Sequence, residues 1–87
     1  MSDVSGYSEI ANDQLDEIEA SGNPELYDAI LVICEFVLDR PAEAQFRSSA
    51  LTTREGICFR LPVPGHHPCK IFWTRSGPRI EAVFPYP

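Results

Sequence analysis

The first half of the chain repeats apolar residues every three or four positions, which is the spacing of one helix face. Leu15 and Ile18 follow Asn12, whose side chain can cap a helix, and the acidic residues between them suit the positive first turns. These features predict a first helix from about residue 13 to residue 20.

A second, more apolar helix is predicted to begin at Pro24. Asn23 offers a capping oxygen, and proline at the first helical position loses no hydrogen bond. Pro41 ends this helix, because the residue before a proline is pushed out of the helical region. A buried strand is the alternative, but the apolar pattern is too long for a typical strand, so we predict a central helix. Its apolar positions at helical spacing are Leu26, Ile30, Ile33, Cys34, Val37 and Leu38.

Beyond Glu55 the apolar period becomes two, which predicts three strands. Residues 75 to 78, Arg-Ser-Gly-Pro, predict a tight turn whose glycine can take positive φ, so the last two strands should form a hairpin. The proline-rich residues 62 to 68 link the first two. The side chains expected to face the core are Ile57, Phe59 and Leu61, then Cys69, Ile71 and Trp73, then Ile80, Ala82 and Phe84.

Three other segments have weaker patterns. Residues 7 to 10 could add a short edge strand, residues 41 to 46 one more helical turn, and residues 47 to 53 either a connection or a first strand. The predicted fold class is therefore α+β, with two N-terminal helices packed on a three- to four-stranded antiparallel sheet. A chain of 87 residues has room for one domain, residues 1 to 87, with residues 1 to 6 expected to be a disordered tail.

The charge is divided unevenly between the two halves. Residues 1 to 53 hold eleven Asp or Glu against Arg40 and Arg47, a formal charge of −9, whereas residues 54 to 87 carry +3. The net charge of −6 argues against a generic nucleic-acid binder, because phosphate binding depends on Lys and Arg. The split indicates either a polar partner at the basic end or simply solvated acidic helices.

The chain has no apolar run of the roughly 18 residues that a membrane span needs, and its N-terminus lacks the features of a signal peptide. We therefore predict a cytoplasmic protein that does not bind membranes. Cys34, Cys58 and Cys69 are an odd number, and we expect all three to be free thiols.

Three cations, Arg60, Lys70 and Arg79, alternate with the predicted core-facing residues of the three strands. If the strand registers align, they share one face, where they could hold phosphates or a partner's carboxylates. The alternative is the polar outer face that half-buried antiparallel sheets commonly have.

His66 and His67 lie in the proline-rich loop, close in sequence to Cys58 and Cys69. This spacing matches no familiar zinc motif, so we expect neither a metal nor a cofactor. A histidine here could act as a general acid or base, or could be an exposed loop residue without a role. Tyr86 could stack on a base or donate a proton, or could pack on a hydrophobic rim.

The order of elements resembles the RelE/ParE toxin superfamily of bacterial type II toxin-antitoxin systems. The likeness covers Tyr7 to Tyr86 and is carried by Phe59-Arg60-Leu61, by the segment from His67 to Trp73, and by Ile80-Glu81-Ala82-Val83-Phe84. Members often have an arginine near the first of these strands, a Tyr-Arg pattern on the next and an apolar last strand.

The resemblance implies a toxin with an antitoxin protein as partner. In the ribonuclease branch, such proteins cut mRNA on the ribosome. The catalytic residues implied here are Arg60 and Lys70, as phosphate contacts, and Tyr86 in the tail. The remaining candidates for RNA or partner binding are Arg54, His66, His67, Arg75 and Arg79.

The chain departs from the family pattern at several positions. Cys69 and Lys70 stand where members usually have Tyr and Arg, the tail has no His or Arg, and the sequence pI is about 4.7. A second hypothesis is therefore a non-catalytic protein-binding domain of the same fold, and a third is the branch that acts on DNA gyrase. A homodimer also remains open.

Overall fold

A computed structural model describes residues 6–84 and confirms the α+β class, with the helices preceding an antiparallel sheet in the chain. The structure contains three helices where two or three were predicted, and four strands. The helices are α1 (Glu9–Ala20), α2 (Pro24–Asp39) and α3 (Pro41–Arg47). The strands are β1 (Ser49–Thr53), β2 (Gly56–Pro62), β3 (Lys70–Thr74) and β4 (Arg79–Phe84).

The second helix begins as predicted. The side chain of Asn23 accepts a hydrogen bond from the Leu26 backbone N–H at 3.2 Å, and Pro24 occupies the first helical position. The last helical residue is Asp39, two positions before Pro41. None of the helices in residues 6–84 combines the length and apolar character needed to cross a bilayer.

The first helix begins four residues earlier than predicted. Ser8, not Asn12, is its N-cap, since the Ser8 Oγ accepts a hydrogen bond from the Ala11 N–H at 3.0 Å. Asn12 therefore lies inside the helix, in its first turn. The prediction was wrong because both residues are good caps, and only the contacts of Ser8 with the sheet select between them.

The sheet is a simple meander in the order β1-β2-β3-β4, with every neighbouring pair antiparallel. The short β1–β2 and β3–β4 turns lie together at one end, which we call the turn end. Residues 63–69 connect β2 to β3 at the other end, which we call the loop end. Residues 49–53 thus form a strand, the second of the two alternatives that the sequence left open.

The helices cover one face of the sheet. Packing joins α2 to β3 and β4, α1 to β4, and α3 to β2. Trp73 is fully buried at the centre, with its ring 5.0 Å from that of Phe59, and its Nε1–H donates to the Ser48 Oγ at 3.1 Å. Truncating a buried Trp typically costs about 3–5 kcal/mol, so Trp73 is a principal anchor between sheet and helices.

One predicted alternation fails in the last strand. Ile80 and Val83 are fully buried, whereas Ala82 is half-buried and Phe84 is 48% exposed. The register shifts between Phe72 and Trp73 on β3, which pair with Ala82 and Ile80 on β4. Glu81 is the extra residue of this β-bulge, and a bulge reverses the alternation that follows it. Ala82 and Phe84 therefore face away from the core, contrary to the prediction.

The N-terminal segment closes the outer edge of β4. Tyr7 forms an isolated parallel bridge with Ile80, in place of the short edge strand that the sequence suggested for residues 7–10. Ser8 donates through its backbone N–H to the Ile80 carbonyl at 2.9 Å and through its hydroxyl to the Glu81 carbonyl at 2.7 Å. The fourth strand is thus an edge strand whose outer side is already occupied.

Candidate binding face of the sheet

The face of the sheet opposite the helices, here called the outer face, carries the predicted cations. Residues directly paired across antiparallel strands point to the same side of the sheet. Arg60 pairs with Phe72, and Phe72 pairs with Ala82, so all three lie on the outer face. The outer face is formed by Leu51, Cys58, Arg60, Lys70, Phe72, Thr74, Arg79, Glu81, Ala82 and Phe84.

Two aromatic rings lie together on this face. The ring centroids of Phe72 and Phe84 are 6.1 Å apart, with the planes at 66°, which is an edge-to-face contact. Phe72 does not belong to the apolar core, and Phe84 is 48% exposed. Large rings left partly open on a sheet are unusual enough to mark a surface that can take a flat or apolar ligand.

Arg60 and Lys70 flank this aromatic pair. Arg60 is directly opposite Phe72, and Lys70 is directly opposite Phe84. Arg60 and Lys70 are therefore diagonal neighbours, with backbones about 7–8 Å apart by the usual geometry of a sheet. Lys70 Nζ donates to the Pro68 carbonyl at 3.1 Å, while Arg60 forms no ion pair with any residue that the structure describes.

Arg79 shares the outer face but lies apart from the other two cations. It pairs with Thr74, four residues along β3 from Lys70, a separation of about 13 Å at the rise of a strand. Its Nε lies 3.5 Å from Glu81 Oε2, which also accepts a hydrogen bond from Thr74 Oγ1 at 3.2 Å. The three cations therefore lie on one face without converging, and Glu81 offsets the charge of Arg79.

The other predicted binding residues are divided between the two ends of the sheet. Arg54 and Arg75 lie in the two turns at the turn end, where Arg75 Nη1 donates to Gln45 Oε1 at 2.6 Å. His66 and His67 lie in the loop at the opposite end. No single ligand of ordinary size contacts both groups.

Tyr86, the third predicted catalytic residue, lies outside the described residues. Within residues 6–84, no group of three or more His, Cys, Asp or Glu side chains is arranged to hold a metal ion.

A shallow groove of about 760 Å³ lies at the turn end. It is lined by residues from both hairpins and from α3, among them Gln45, Cys58, Arg75, Arg79 and Glu81. Sequence reasoning missed this groove, because α3 reaches the β3–β4 turn only through tertiary contact. It also missed Phe72 and Phe84 as a pair, since the bulge at Glu81 decides which way Phe84 points.

The three cysteines are free, and none is suited to nucleophilic chemistry. Burial raises the pKa of the Cys58 thiol, and the nearby Glu81 carboxylate raises it further. Burial raises the pKa of Cys69 despite the opposing effect of Lys70, and it raises that of Cys34 to about 12. A thiol acts as a nucleophile through its thiolate, so these side chains are unreactive at neutral pH.

Comparisons of the chain with protein-family models, curated proteins and solved structures found no match. The resemblance to the RelE/ParE superfamily therefore stays a prediction, and the site is characterised by its own geometry.

Proposed function

We propose that the outer face binds single-stranded RNA, and that the protein is a RelE/ParE-like toxin acting on mRNA in the bacterial cytoplasm under the control of an antitoxin. The observation that carries the proposal is the arrangement of Phe72 and Phe84 beside Arg60 and Lys70 on the uncovered face of the sheet.

The chemistry of the four side chains suits a single strand. Unpaired bases stack on aromatic rings, each contact contributing about 1–3 kcal/mol, while cations along the same path hold the phosphates. Arg60 presents a planar guanidinium that can donate two parallel hydrogen bonds to one phosphate, and Lys70 adds a point charge beside it. Phosphates would then follow the diagonal from Arg60 to Lys70, and bases would lie over the two rings.

Cleavage requires more than this binding. The 2′-hydroxyl must be activated and the leaving oxygen protonated. Glu81, the carboxylate of the outer face among residues 6–84, is held by Arg79 and Thr74 near the turn end, far from Lys70. In this proposal Arg60 and Lys70 hold the scissile phosphate, and the proton donor is Tyr86 in the tail.

Expression of the chain without a partner tests the toxin activity. Growth should stop and mRNA should be cut, and Arg60→Ala or Lys70→Ala should relieve both effects. Arg40→Ala is the matched control, because Arg40 is an exposed cation on the helical side whose contact is with Glu43. Unchanged growth and intact mRNA on expression of the wild-type chain would exclude the toxin activity.

A second candidate function is a non-catalytic domain that binds a protein segment on the same face. The observation that favours it is the apolar surround of the aromatic pair, in which Leu51, Cys58 and Ala82 are each half-buried, together with the net charge of −6, which repels RNA. The preferred partner would alternate apolar side chains with carboxylates. Binding of such a peptide by a chain that neither retains RNA nor arrests growth would favour this candidate.

A further inference from the structure

The two edges of the sheet are treated differently by the rest of the chain. Four hydrogen bonds occupy the outer edge of β4: two from the backbones of Gly6 and Ser8 to Ile80, one from the Ser8 hydroxyl to the next carbonyl, and one from the Val83 N–H to Gln14 Oε1. No segment within residues 6–84 pairs with the outer edge of β1. The first strand therefore offers its unpaired backbone groups outward.

The sequence of β1 lacks the features that usually prevent edge-to-edge pairing. Ser-Ala-Leu-Thr-Thr, residues 49–53, contains no charge and no proline, the two commonest protections of an open edge. Large apolar side chains are also exposed close to it. Phe46, three residues before the strand, is 93% exposed, and Ile57, which pairs with Thr52, is 58% exposed. Exposed apolar groups around an unprotected edge are typical of an interface.

We infer that β1 pairs antiparallel with β1 of a second copy of this chain, with Leu51 opposite Leu51. A two-fold antiparallel pairing that keeps the helices of both copies on one side must place some residue opposite itself. With Leu51 at the centre, all five residues of each strand are paired, Ser49 with Thr53 and Ala50 with Thr52. A centre at Ala50 or Thr52 leaves the end of each strand without a strand partner.

Charge complementarity selects the same register. Counting outward from Leu51, Arg47 of one copy falls opposite Glu55 of the other, and the symmetry creates this pair twice. Both residues are exposed, and the Arg47 guanidinium is held over the Phe36 ring at 5.3 Å, beside the start of the strand. A centre at Ala50 would place Arg47 opposite Thr53, and a centre at Thr52 would place it opposite an apolar residue.

The pairing has a structural consequence. It joins two four-stranded sheets into one of eight strands, with both outer faces on the same side. The aromatic pairs of the two copies then belong to one continuous surface. The inference itself depends only on the edge, so it stands apart from the question of what the outer face binds.

Sedimentation velocity over a wide range of concentrations tests the pairing. The wild-type chain should show a reversible monomer–dimer equilibrium. Arg47→Glu should weaken the dimer roughly three- to tenfold, because two pairs of like charges replace two ion pairs, and Glu55→Arg should do the same. The double variant R47E/E55R should restore wild-type affinity, since it re-creates both pairs with the charges exchanged. Arg40→Glu, with the same change in net charge away from the edge, should have no effect.

Leu51→Lys gives a stronger test, because it places two like charges directly opposite each other at the centre, and the dimer should be lost. Circular dichroism checks that each variant is folded, and if Leu51→Lys is not, the charge exchange alone decides. A wild-type chain that is monomeric at every concentration overturns the inference. So does a dimer that neither Leu51→Lys nor Arg47→Glu weakens, since the contact would then lie elsewhere.

Discussion

Gln14 Oε1 accepts a hydrogen bond from the Val83 N–H at 2.7 Å, which ties the first helix to the last strand across 69 positions of the chain. Gln14 is a polar residue with only 7% of its surface exposed, and it satisfies a backbone group at an edge that would otherwise be open. This single side chain helps to fix how the helical layer meets the sheet.

We predict that Gln14→Ala lowers the free energy of unfolding by about 1–3 kcal/mol, because it leaves the buried N–H of Val83 without an acceptor. Urea unfolding followed by circular dichroism measures the change. Asp13→Ala, an exposed neighbour on the same helix, is the control and should stay within about 0.5 kcal/mol of the wild type. Equal effects of the two substitutions would contradict this role for Gln14.

Ser8→Ala should cost about 1–2 kcal/mol, because it removes the N-cap of α1 and also the hydrogen bond from Ser8 Oγ to the Glu81 carbonyl. Asn12→Ala is the matched comparison, since Asn12 is the residue that the sequence pattern selected as the cap. The structure predicts only a small effect there. Thermal unfolding of the two variants separates the alternatives, and a larger loss for Asn12→Ala would show that the helix begins later.

The stability of the fold should decrease as the pH rises above about 9. Burial is the main reason why the pKa of Cys34 rises from its ordinary 9.0 to about 12 and that of Tyr7 from 10.0 to about 12. The unfolded chain therefore releases these protons at a lower pH than the folded chain does, and the stability is lost progressively as pH rises toward about 12.

Urea midpoints measured between neutral pH and about pH 11 test this dependence. Tyr7→Phe should make the decrease shallower, because it removes one of the two groups. A midpoint that is constant across the alkaline range would mean that both groups ionise as readily in the folded chain as in the unfolded one.

Phe72→Ala should weaken binding of a short labelled oligouridine by about 1–3 kcal/mol, because a stacking ring is removed from the outer face. Fluorescence anisotropy measures the affinity. Val32→Ala, an exposed apolar residue on the helical side, is the control and should bind as the wild type does. An unchanged affinity for Phe72→Ala would place any RNA site away from the aromatic pair.

Arg60→Ala should weaken binding of the same oligouridine and should also reduce its dependence on salt, since one phosphate contact fewer lowers the salt slope by about one unit. Phe72→Ala should leave that slope unchanged, because stacking releases no counterions. If neither variant changes a measurable affinity, the RNA is held by other groups.

Much of the fold was predictable because it depends on short-range chemistry. The start of α2 follows from Asn23 and Pro24, which act on their own helix. The hairpin between β3 and β4 follows from a four-residue turn that contains Gly77, whose φ of 132° a side chain would oppose. The separation of the cations from the core side chains follows from the two-residue period of the strands.

The candidate site was predicted less completely. The shared face of Arg60, Lys70 and Arg79 could be expected from alternation, but their spacing could not, because it depends on the register of three strands. The bulge at Glu81 leaves no signal in the local pattern, and it moves Phe84 to the outer face and brings Glu81 beside Arg79.

The sequence by itself determined the class of fold, the central helix, the strand-forming half of the chain and the polarity of each strand, because each of these depends on residues within a few positions of one another. Only the tertiary structure decided that Ser8 rather than Asn12 begins the first helix, and that the edge of β4 is closed while that of β1 stays open. These outcomes depend on hydrogen bonds between groups about 70 residues apart, and no local pattern contains them.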